Sequence, residues 1–205
     1  MEFSEVVQGR RAVKKYDPAH RITDDELQAI FSRVALAPSS FNLQHTRFVV
    51  VRDPKRKGAL RRAAFGQEQV ESASAAVVVV GKLTAHEDAA KIYSDAPESV
   101  RTSMLPMIRN FYEGKPAMQR DEAVRSAGLS AMTLMLAAYD LGYASGPLIG
   151  FDPDEVAKIA GLVDPYVPLM LVVIGKQVGD MRPRPFRHPL SVTVKLEEWN
   201  GKGLT

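Results

Sequence analysis

The sequence contains no cysteine among its 205 residues. This absence excludes disulfide bonds, thiolate metal ligands, iron–sulfur clusters and cysteine nucleophiles together. The four histidines are scattered along the chain without the spacing of metal ligands, at positions 20, 45, 86 and 188. We therefore expect neither thiol chemistry nor a metal site.

Long apolar runs are also missing. A membrane-spanning helix needs about 20 consecutive apolar residues, whereas the longest run here, Ala73 to Gly81 with Ser74 inside it, has the length of a strand. The first five residues are acidic and lack the basic-then-apolar order of a signal peptide. These features predict a cytoplasmic protein without a membrane segment. The length suits a single domain over residues 1–205.

An excess of charge of one sign is nearly absent. The chain has 27 basic and 24 acidic residues, a net charge of +3 and a pI near 9.1. The basic residues are spread over the chain, and no recognisable nucleic-acid motif accompanies them. A nucleic-acid-binding module, which would show steeply salt-dependent binding to DNA, is therefore disfavoured. A small anionic cofactor explains the mild basicity equally well.

Hydrophobic patterning predicts helices interleaved with a few strands. Thr23 and Glu26 form a capping box at the start of one helix, and Gly9 is expected to end the first helix as a C-cap. The β-branched run Ala76 to Val80 predicts a central strand buried on both faces. A long helix at about 122–141 is apolar nearly all round, which is typical of a core or a subunit interface.

The remaining segments complete an α+β prediction. Further strands are predicted at 48–51, 169–174 and 191–194, and a glycine- and proline-rich loop is predicted at 145–151. Because strands and helices alternate without a regular βαβ rhythm, we expect a sheet with helices packed around it. The tail from residue 179 is too irregular for a domain of its own, so we expect it to pack on something else.

The segment Arg10–Lys15 is the first candidate for binding chemistry. In an extended strand, residues 10, 12 and 14 share one side, so Arg10 and Lys14 would flank the small Ala12. Bidentate Arg and compact Lys charges suit a phosphate group. Spacing alone favours a solvated basic strip instead.

Two loops and one tail residue are further candidates. Hydroxyls and amides crowd the segment 38–44, where they could bind the polar edge of a heterocycle or cap their own backbone. The segment 146–150 offers glycines for close backbone approach, or it is a simple connector. Arg187 is a lone cation in a proline-rich tail, and such a residue is more often an ordinary surface residue.

In this order and spacing, the segments resemble the FMN-dependent nitroreductase family. The resemblance covers nearly the whole chain and is carried by four segments, namely 10–16 after the first helix, 37–51, 141–153 after the long helix, and 187–190. Each motif is weak alone, whereas the ordered set is rather specific.

The resemblance implies one FMN-binding domain with a central mixed or antiparallel sheet surrounded by helices. In the family, two subunits share two FMN sites at a large interface, and the C-terminal arm wraps the partner. The expected arm here is about 179–205. A lid insertion would lie at about 84–121.

Matched position by position, the resemblance assigns cofactor contacts in three groups. Arg10 and Arg187 are expected at the FMN phosphate, with Arg11 and Ala12 beside them, and Lys14 near the pyrimidine end of the flavin. The partner chain is expected to contribute Pro38, Ser39, Ser40, Asn42 and Gln44. The backbone at Pro147, Leu148, Ile149 and Gly150 is expected near the hydride-accepting nitrogen, with amide contacts from Gln67 and Gln69.

The implied activity is a ping-pong oxidoreductase reaction, in which NADH or NADPH delivers a hydride to FMN and leaves before the acceptor binds. Nitroaromatics and quinones are the expected acceptors, and no catalytic side chain is needed because the cofactor performs the chemistry. The open alternatives are another flavin reaction on the same scaffold (dehalogenation, enone reduction or flavin breakdown) and a non-catalytic flavin-binding protein.

Three departures from the family pattern bear on the acceptor and the nicotinamide. His45-Thr46 stands where Pro-Trp is common, Ile149 where many members have an acidic residue, and Pro185 where a second basic residue commonly precedes the tail arginine.

Overall fold

The computed structural model describes residues 1–205 and contains one four-stranded antiparallel sheet. The strands lie in the order β1-β2-β4-β3, with bounds β1 (Thr46–Val51), β2 (Ala75–Lys82), β3 (Ala144–Leu148) and β4 (Tyr166–Gly175). The sheet gains a short parallel addition where the bridge between Ala12 and Ser145 attaches the N-terminal segment to β3. The predicted α+β class is confirmed.

Nine α-helices surround the sheet, and 3-10 turns occur at Ser40–Asn42 and Ala85–Asp88. The helices are α1 (Phe3–Gly9), α2 (Asp24–Val34), α3 (Pro54–Ala63), α4 (Gln69–Ser72), α5 (Ala89–Ile92), α6 (Glu98–Tyr112), α7 (Pro116–Asp140), α8 (Pro153–Ala160) and α9 (Leu190–Thr193). None of them is long and apolar enough to cross a membrane.

Strand β2 is the centre of the core, as predicted. Its residues alternate between two hydrophobic clusters because successive side chains point to opposite faces of a sheet. Val78 and Val80 pack in the cluster that includes α3 and α8, whereas Val77 and Val79 pack in the cluster that includes α2 and α7. Each fully buried valine contributes about 1.5–3 kcal/mol to folding.

The capping box of α2 is present as predicted. The backbone N–H of Glu26 donates to Thr23 Oγ1 at 3.2 Å, and the N–H of Thr23 donates to Glu26 Oε2 at 2.9 Å. These two bonds satisfy N–H groups that have no partner inside the helix.

Helix α1 ends at Gly9 as predicted, but the predicted role of Gly9 as a C-cap is wrong. Helix α1 includes Gly9, and its backbone is not left-handed; the chain turns out of the helix at Arg10 with φ −55° and ψ 133°. The glycine is needed for packing instead, because an added Cβ would lie 2.2 Å from the Oη of Tyr139 on α7.

The predicted loop at 145–151 is also wrong in its first half, since residues 144–148 form β3. Only β4 pairs with β3 as a full strand, so Pro147 is tolerated there as on other edge strands. Gly146 is required because a Cβ would lie 2.8 Å from the carbonyl oxygen of Val13. The composition resembles that of a turn, but the residues serve close contact between neighbouring strands.

The strand predicted at 191–194 is a single helical turn, α9. The Val194 N–H donates to the Leu190 carbonyl at 2.8 Å, and Pro189 supplies the preceding cap position. The β-branched residues pair with no strand of the sheet, and the local turn that follows the proline forms instead. The surrounding arm exposes large apolar side chains, including Phe186 and Trp199, which is 85% exposed.

Candidate functional site

The basic N-terminal segment runs along the outer edge of β3. The N–H of Val13 donates to the Ser145 carbonyl at 3.0 Å, and the Tyr16 hydroxyl donates to the Val13 carbonyl at 3.1 Å. Val13 and Tyr16 are buried, whereas Ala12 and Lys14 are exposed. The extended conformation predicted for this segment is therefore confirmed, with Lys14 on the solvent side.

Two arginines converge on the C-terminal end of α1. Arg184 Nη2 donates to the carbonyls of Val7, Gln8 and Arg10 at 3.0–3.2 Å. Arg11 Nη1 donates to the carbonyls of Gln8, Gly9 and Arg10. The last carbonyls of a helix lack partners and carry partial negative charge, so both cations stabilise this helix end.

Arg10 is left without such a partner. The Nε atoms of Arg10 and Arg11 are both buried without an acceptor, but Arg11 donates through Nη1, whereas no side-chain nitrogen of Arg10 donates to an acceptor within the chain. Burial lowers the pKa of Arg10, and the charges of Arg184, Arg11 and Arg187 lower it further. None of these four arginines forms an ion pair with a carboxylate. An uncompensated cationic cluster of this kind is suited to bind an anionic group.

Two glutamine side chains form a hydrogen-bonded chain beside the residues that follow β3. Gln69 Nε2 donates to Gln67 Oε1 at 2.9 Å, and Gln67 Nε2 donates to the Gly150 carbonyl at 2.9 Å. Gln69 is buried, whereas Ile149 is 77% exposed. The N–H groups of Ile149 and Gly150 have no backbone acceptor, so they remain free to donate to a ligand.

The segment 38–44 lies elsewhere, immediately before β1. Phe41, Asn42 and Gln44 have φ of 50°, 53° and 50°, in the left-handed region. The Gln44 N–H donates to Ser39 Oγ at 2.8 Å. Pro38, Ser39 and Gln44 line a cavity of about 280 Å³ between α2, β1 and α7.

The candidate residues therefore form two separate groups within one chain. The β3-edge half-site comprises residues 10–14, 147–150, Gln67, Gln69 and Arg187; the β1-edge half-site comprises residues 38–44. Ser145 on β3 is aligned through Ile174 on β4 with Ala75, at the start of β2, whereas Thr46 on β1 pairs with Gly81, near the end of β2. Ser145 and Thr46 therefore lie at diagonal corners of the sheet. Strand geometry places these corners roughly 25 Å apart, with the buried strands β2 and β4 between them.

Two residues near the site were not predicted from the sequence. Arg184 belongs to a basic cluster visible in the tail, but nothing in the sequence indicated its contact with α1. Tyr112 donates to Ser40 Oγ at 2.9 Å across 72 residues of chain, and no local pattern could have indicated that contact.

Histidines can donate protons near neutral pH, and His45 and His188 lie in contrasting surroundings. His45 is 1% exposed, lies 3.4 Å from Ser126 Oγ through Nδ1, and has its pKa lowered by burial. His188 is exposed in the arm, where its ring lies against Phe186. Burial favours the neutral form of His45, which is typical of a core histidine.

Comparison with known proteins agrees with the family resemblance seen in the sequence. The model of the nitroreductase family matches residues 7–176, which is most of the chain. The Bacillus subtilis protein MhqN, which bears the name of an NAD(P)H nitroreductase, is 39% identical over 202 residues, with 95% of this chain and 98% of MhqN covered.

Two further relatives bear on cofactor and substrate. A nitroreductase-like protein of Exiguobacterium sibiricum, solved in complex with FMN, has a TM-score of 0.89 and 34% identity, with 96% of this chain and 98% of that chain covered. An enone reductase of Lactiplantibacillus plantarum is 32% identical over 189 residues, with 85% of each chain covered.

Proposed function

Because this chain belongs to the nitroreductase family and is an NAD(P)H-dependent oxidoreductase, we propose that it binds FMN non-covalently and reduces electron-poor small molecules. Nitroaromatics and quinones are the proposed acceptors. The observation that carries the proposal is Arg10, whose buried Nε has no acceptor inside a cluster of arginines that lack carboxylate partners. A phosphate group supplies the missing acceptors and charge.

The proposed phosphate contacts follow from what each arginine already binds. Arg10 and Arg187 are available, since Arg10 has an unpaired Nε and Arg187 donates only to the adjacent carbonyls of Pro185 and Phe186. Arg11 and Arg184 add positive charge while their guanidinium groups stay on the end of α1. Ala12 leaves space beside the strand, as the sequence suggested.

The proposed ring contacts lie further along the same edge. Lys14 is exposed on the solvent side of the N-terminal strand, where it can stabilise negative charge at the pyrimidine end of the flavin. Leu148, Ile149 and Gly150 present backbone beside the ring, with the Ile149 and Gly150 N–H groups free. Gln67 fixes the position of the Gly150 carbonyl.

The β1-edge half-site is proposed to come from a second copy of the chain. Support comes from the position of the two half-sites on opposite edges of the sheet, with β2 and β4 between them, because Pro38, Ser39, Ser40, Asn42 and Gln44 cannot reach the β3 edge of their own subunit. Further support comes from apolar surface that one chain leaves exposed. On α7 these residues are Val124, Leu129 and Met132, and in the arm they are Phe186, Leu190 and Trp199.

When bound, FMN supplies the hydride-transfer chemistry that no side chain of this protein provides. The protein's own contribution is orientation and electrostatics. Arg10 and Arg187 anchor the phosphate, Lys14 provides preorganised positive charge, and the backbone at 148–150 provides donors that need no rearrangement. NAD(P)H and the acceptor are proposed to use the same open face in turn, which gives ping-pong kinetics.

Enone reduction is a second candidate activity. The observation that favours it is the 32% identity to the enone reductase over most of both chains. The same residues would act identically toward the cofactor, and only the acceptor would differ. Steady-state assays with a nitroaromatic, a quinone and a conjugated enone at equal concentrations would rank the three classes.

The first test is the visible absorption spectrum of the purified protein, recorded before and after anaerobic addition of NADPH and, separately, NADH. We expect a bound-flavin spectrum that bleaches with at least one donor. A flavin spectrum that stays oxidised with both donors would support the non-catalytic alternative. Absence of any flavin binding after FMN is added would overturn the proposal.

Complementation between subunits tests the shared site directly. One chain carries Arg10→Ala with Arg187→Ala, and the other carries Ser39→Ala with Ser40→Ala. We expect each homodimer to bind FMN weakly and the mixed dimer to regain one intact site of the two. If mixing restores no binding, the two half-sites do not meet across an interface.

A further inference from the structure

The backbone of the β1-edge half-site is held in an unfavourable conformation. Phe41, Asn42 and Gln44 adopt φ near +50° within four residues, and none of them is a glycine. Left-handed geometry brings the Cβ of an L-residue close to the following carbonyl, so such residues persist only where the surroundings hold them. The contacts that hold this loop therefore determine how it meets a ligand.

Those contacts come mainly from the segment 84–121. The Tyr93 hydroxyl donates to the Phe41 carbonyl at 3.1 Å, and the Tyr112 hydroxyl donates to Ser40 Oγ at 2.9 Å. Leu43 is fully buried in a small separate cluster with Ala85, Ala89, Ile108 and Tyr112. The ring of Phe41 packs edge-on against Tyr112 and Phe111.

Tyr112 is itself firmly held, because it is 1% exposed and its ring stacks on His86 with centroids 5.9 Å apart. Its carbonyl accepts a hydrogen bond from Gln119 Nε2 at 2.9 Å. The hydroxyl that reaches Ser40 therefore has a defined position at the end of α6.

The direction of the hydrogen bonds gives the two serines a common property. Ser39 Oγ accepts from the Gln44 N–H, and Ser40 Oγ accepts from the Tyr112 hydroxyl. A serine hydroxyl has one hydrogen and two lone pairs. Because the protein occupies an acceptor position on each oxygen, both hydroxyl hydrogens remain available to an acceptor outside the loop.

We propose that Tyr112 is a positioning residue that makes Ser40 a dedicated hydrogen-bond donor toward the flavin of the partner subunit, while Tyr93 holds the adjacent left-handed turn. The segment 84–121 thus holds the loop 38–44 in position through Tyr93 and Tyr112, in addition to any role as a lid. This inference rests on the proposed function, since it assumes that the β1-edge half-site meets FMN. Donors directed at the ring favour its electron-rich, two-electron-reduced form.

The test combines a double-mutant cycle with two physical readouts. Tyr112→Phe and Ser40→Ala are made singly and together, and Ser103→Ala on the same helix is the matched control, because the Ser103 hydroxyl bonds only to its own helix. We expect Tyr112→Phe to weaken FMN binding about 3- to 10-fold, which is the usual range for one neutral hydrogen bond. In the double variant, the fold loss of FMN affinity should be well below the product of the losses in the two single variants.

The two-electron midpoint potential of the bound flavin distinguishes positioning from simple packing. A loss for reduced FMN that exceeds the loss for oxidised FMN by 3- to 10-fold corresponds to a shift of about 14–30 mV to more negative potential. We expect this shift in Tyr112→Phe and none in Ser103→Ala. Multiplicative losses in the cycle, or an unchanged potential, would overturn the assignment.

Amide hydrogen exchange of the apo protein provides a readout that does not depend on FMN. The Gln44 amide donates inside the loop, so its exchange should accelerate in Tyr112→Phe and in Tyr93→Phe and stay unchanged in Ser103→Ala. If wild-type protein fails to bind FMN, the proposed function falls, yet this exchange still decides whether the tyrosines hold the loop. Unchanged exchange in both tyrosine variants would refute their role.

Discussion

Replacement of Arg10 by alanine should separate cofactor binding from folding stability. A hydrogen bond to a charged group contributes about 1.5–3 kcal/mol. Loss of that contact from the FMN phosphate should therefore raise the Kd about 10- to 150-fold, at 1.4 kcal/mol for each factor of ten. Arg10→Lys keeps the charge but loses the bidentate geometry, so we expect an intermediate value.

Arg10→Ala should leave the stability of the apo protein unchanged or increase it. Arg10 carries a buried Nε with no acceptor, and three neighbouring arginines repel it. Removal of the Arg10 side chain removes both the unpaired buried donor and the repulsion. We therefore expect the free energy of unfolding to stay constant or rise by less than about 1 kcal/mol. Arg62→Ala is the matched control, because that arginine is exposed on α3.

The assay compares two ligands that differ only in the phosphate. Fluorescence titrations with FMN and with riboflavin are made on wild type and each variant, and urea unfolding is followed on the same apo samples. Arg10→Ala should weaken FMN binding while riboflavin binding stays nearly constant. Equal losses for both ligands would refute the phosphate assignment, and a clear loss of apo stability would refute the argument from repulsion.

Three further predictions concern folding and the ring end of the site. Gly9→Ala places a Cβ 2.2 Å from the Tyr139 hydroxyl, so it should destabilise the protein by about 1–3 kcal/mol in urea unfolding, and a Tyr139→Ala background should remove that loss. The hydroxyl of Tyr143 and the Thr23 N–H lower the pKa of Glu26 from 4.5 to about 2. The stabilisation from this carboxylate is therefore complete above about pH 5 and disappears as the pH falls toward 2, so unfolding free energies of Glu26→Gln should fall less steeply with acid than those of wild type. Gln67→Ala breaks the 2.9 Å bond to the carbonyl at the end of β3; it should slow flavin bleaching by NAD(P)H about 2- to 10-fold in stopped flow, and an unchanged rate would show that this bond does not orient the site.

The elements predicted well are those whose signals are local. The capping box at Thr23 and the β-branched run of β2 specify their conformations through residues a few positions apart. The burial of both faces of β2 also follows from its own sequence, because no polar residue interrupts the run. These predictions needed no knowledge of the rest of the chain.

The elements predicted wrongly are those decided by distant partners. Gly146 and Pro147 have the composition of a turn, but β3 forms because β4 pairs along it and Val13 approaches from the other side. Position 9 has no room for a side chain because of Tyr139, which lies 130 positions further along the chain. Local composition cannot distinguish a glycine needed for backbone conformation from one needed for contact.

For the site, the residue types and their order could be predicted from the sequence, namely the basic strand, the hydroxyl- and amide-rich loop, and the tail arginine. Which guanidinium groups are free depends on the tertiary structure, since Arg11 and Arg184 donate to carbonyls at the end of α1 while Arg10 donates to no acceptor within the chain. The tertiary structure also places the two groups on opposite edges of one sheet. Such placement depends on strand order and long-range packing, in which residues far apart in the chain compete for the same contacts, and no local pattern contains that information.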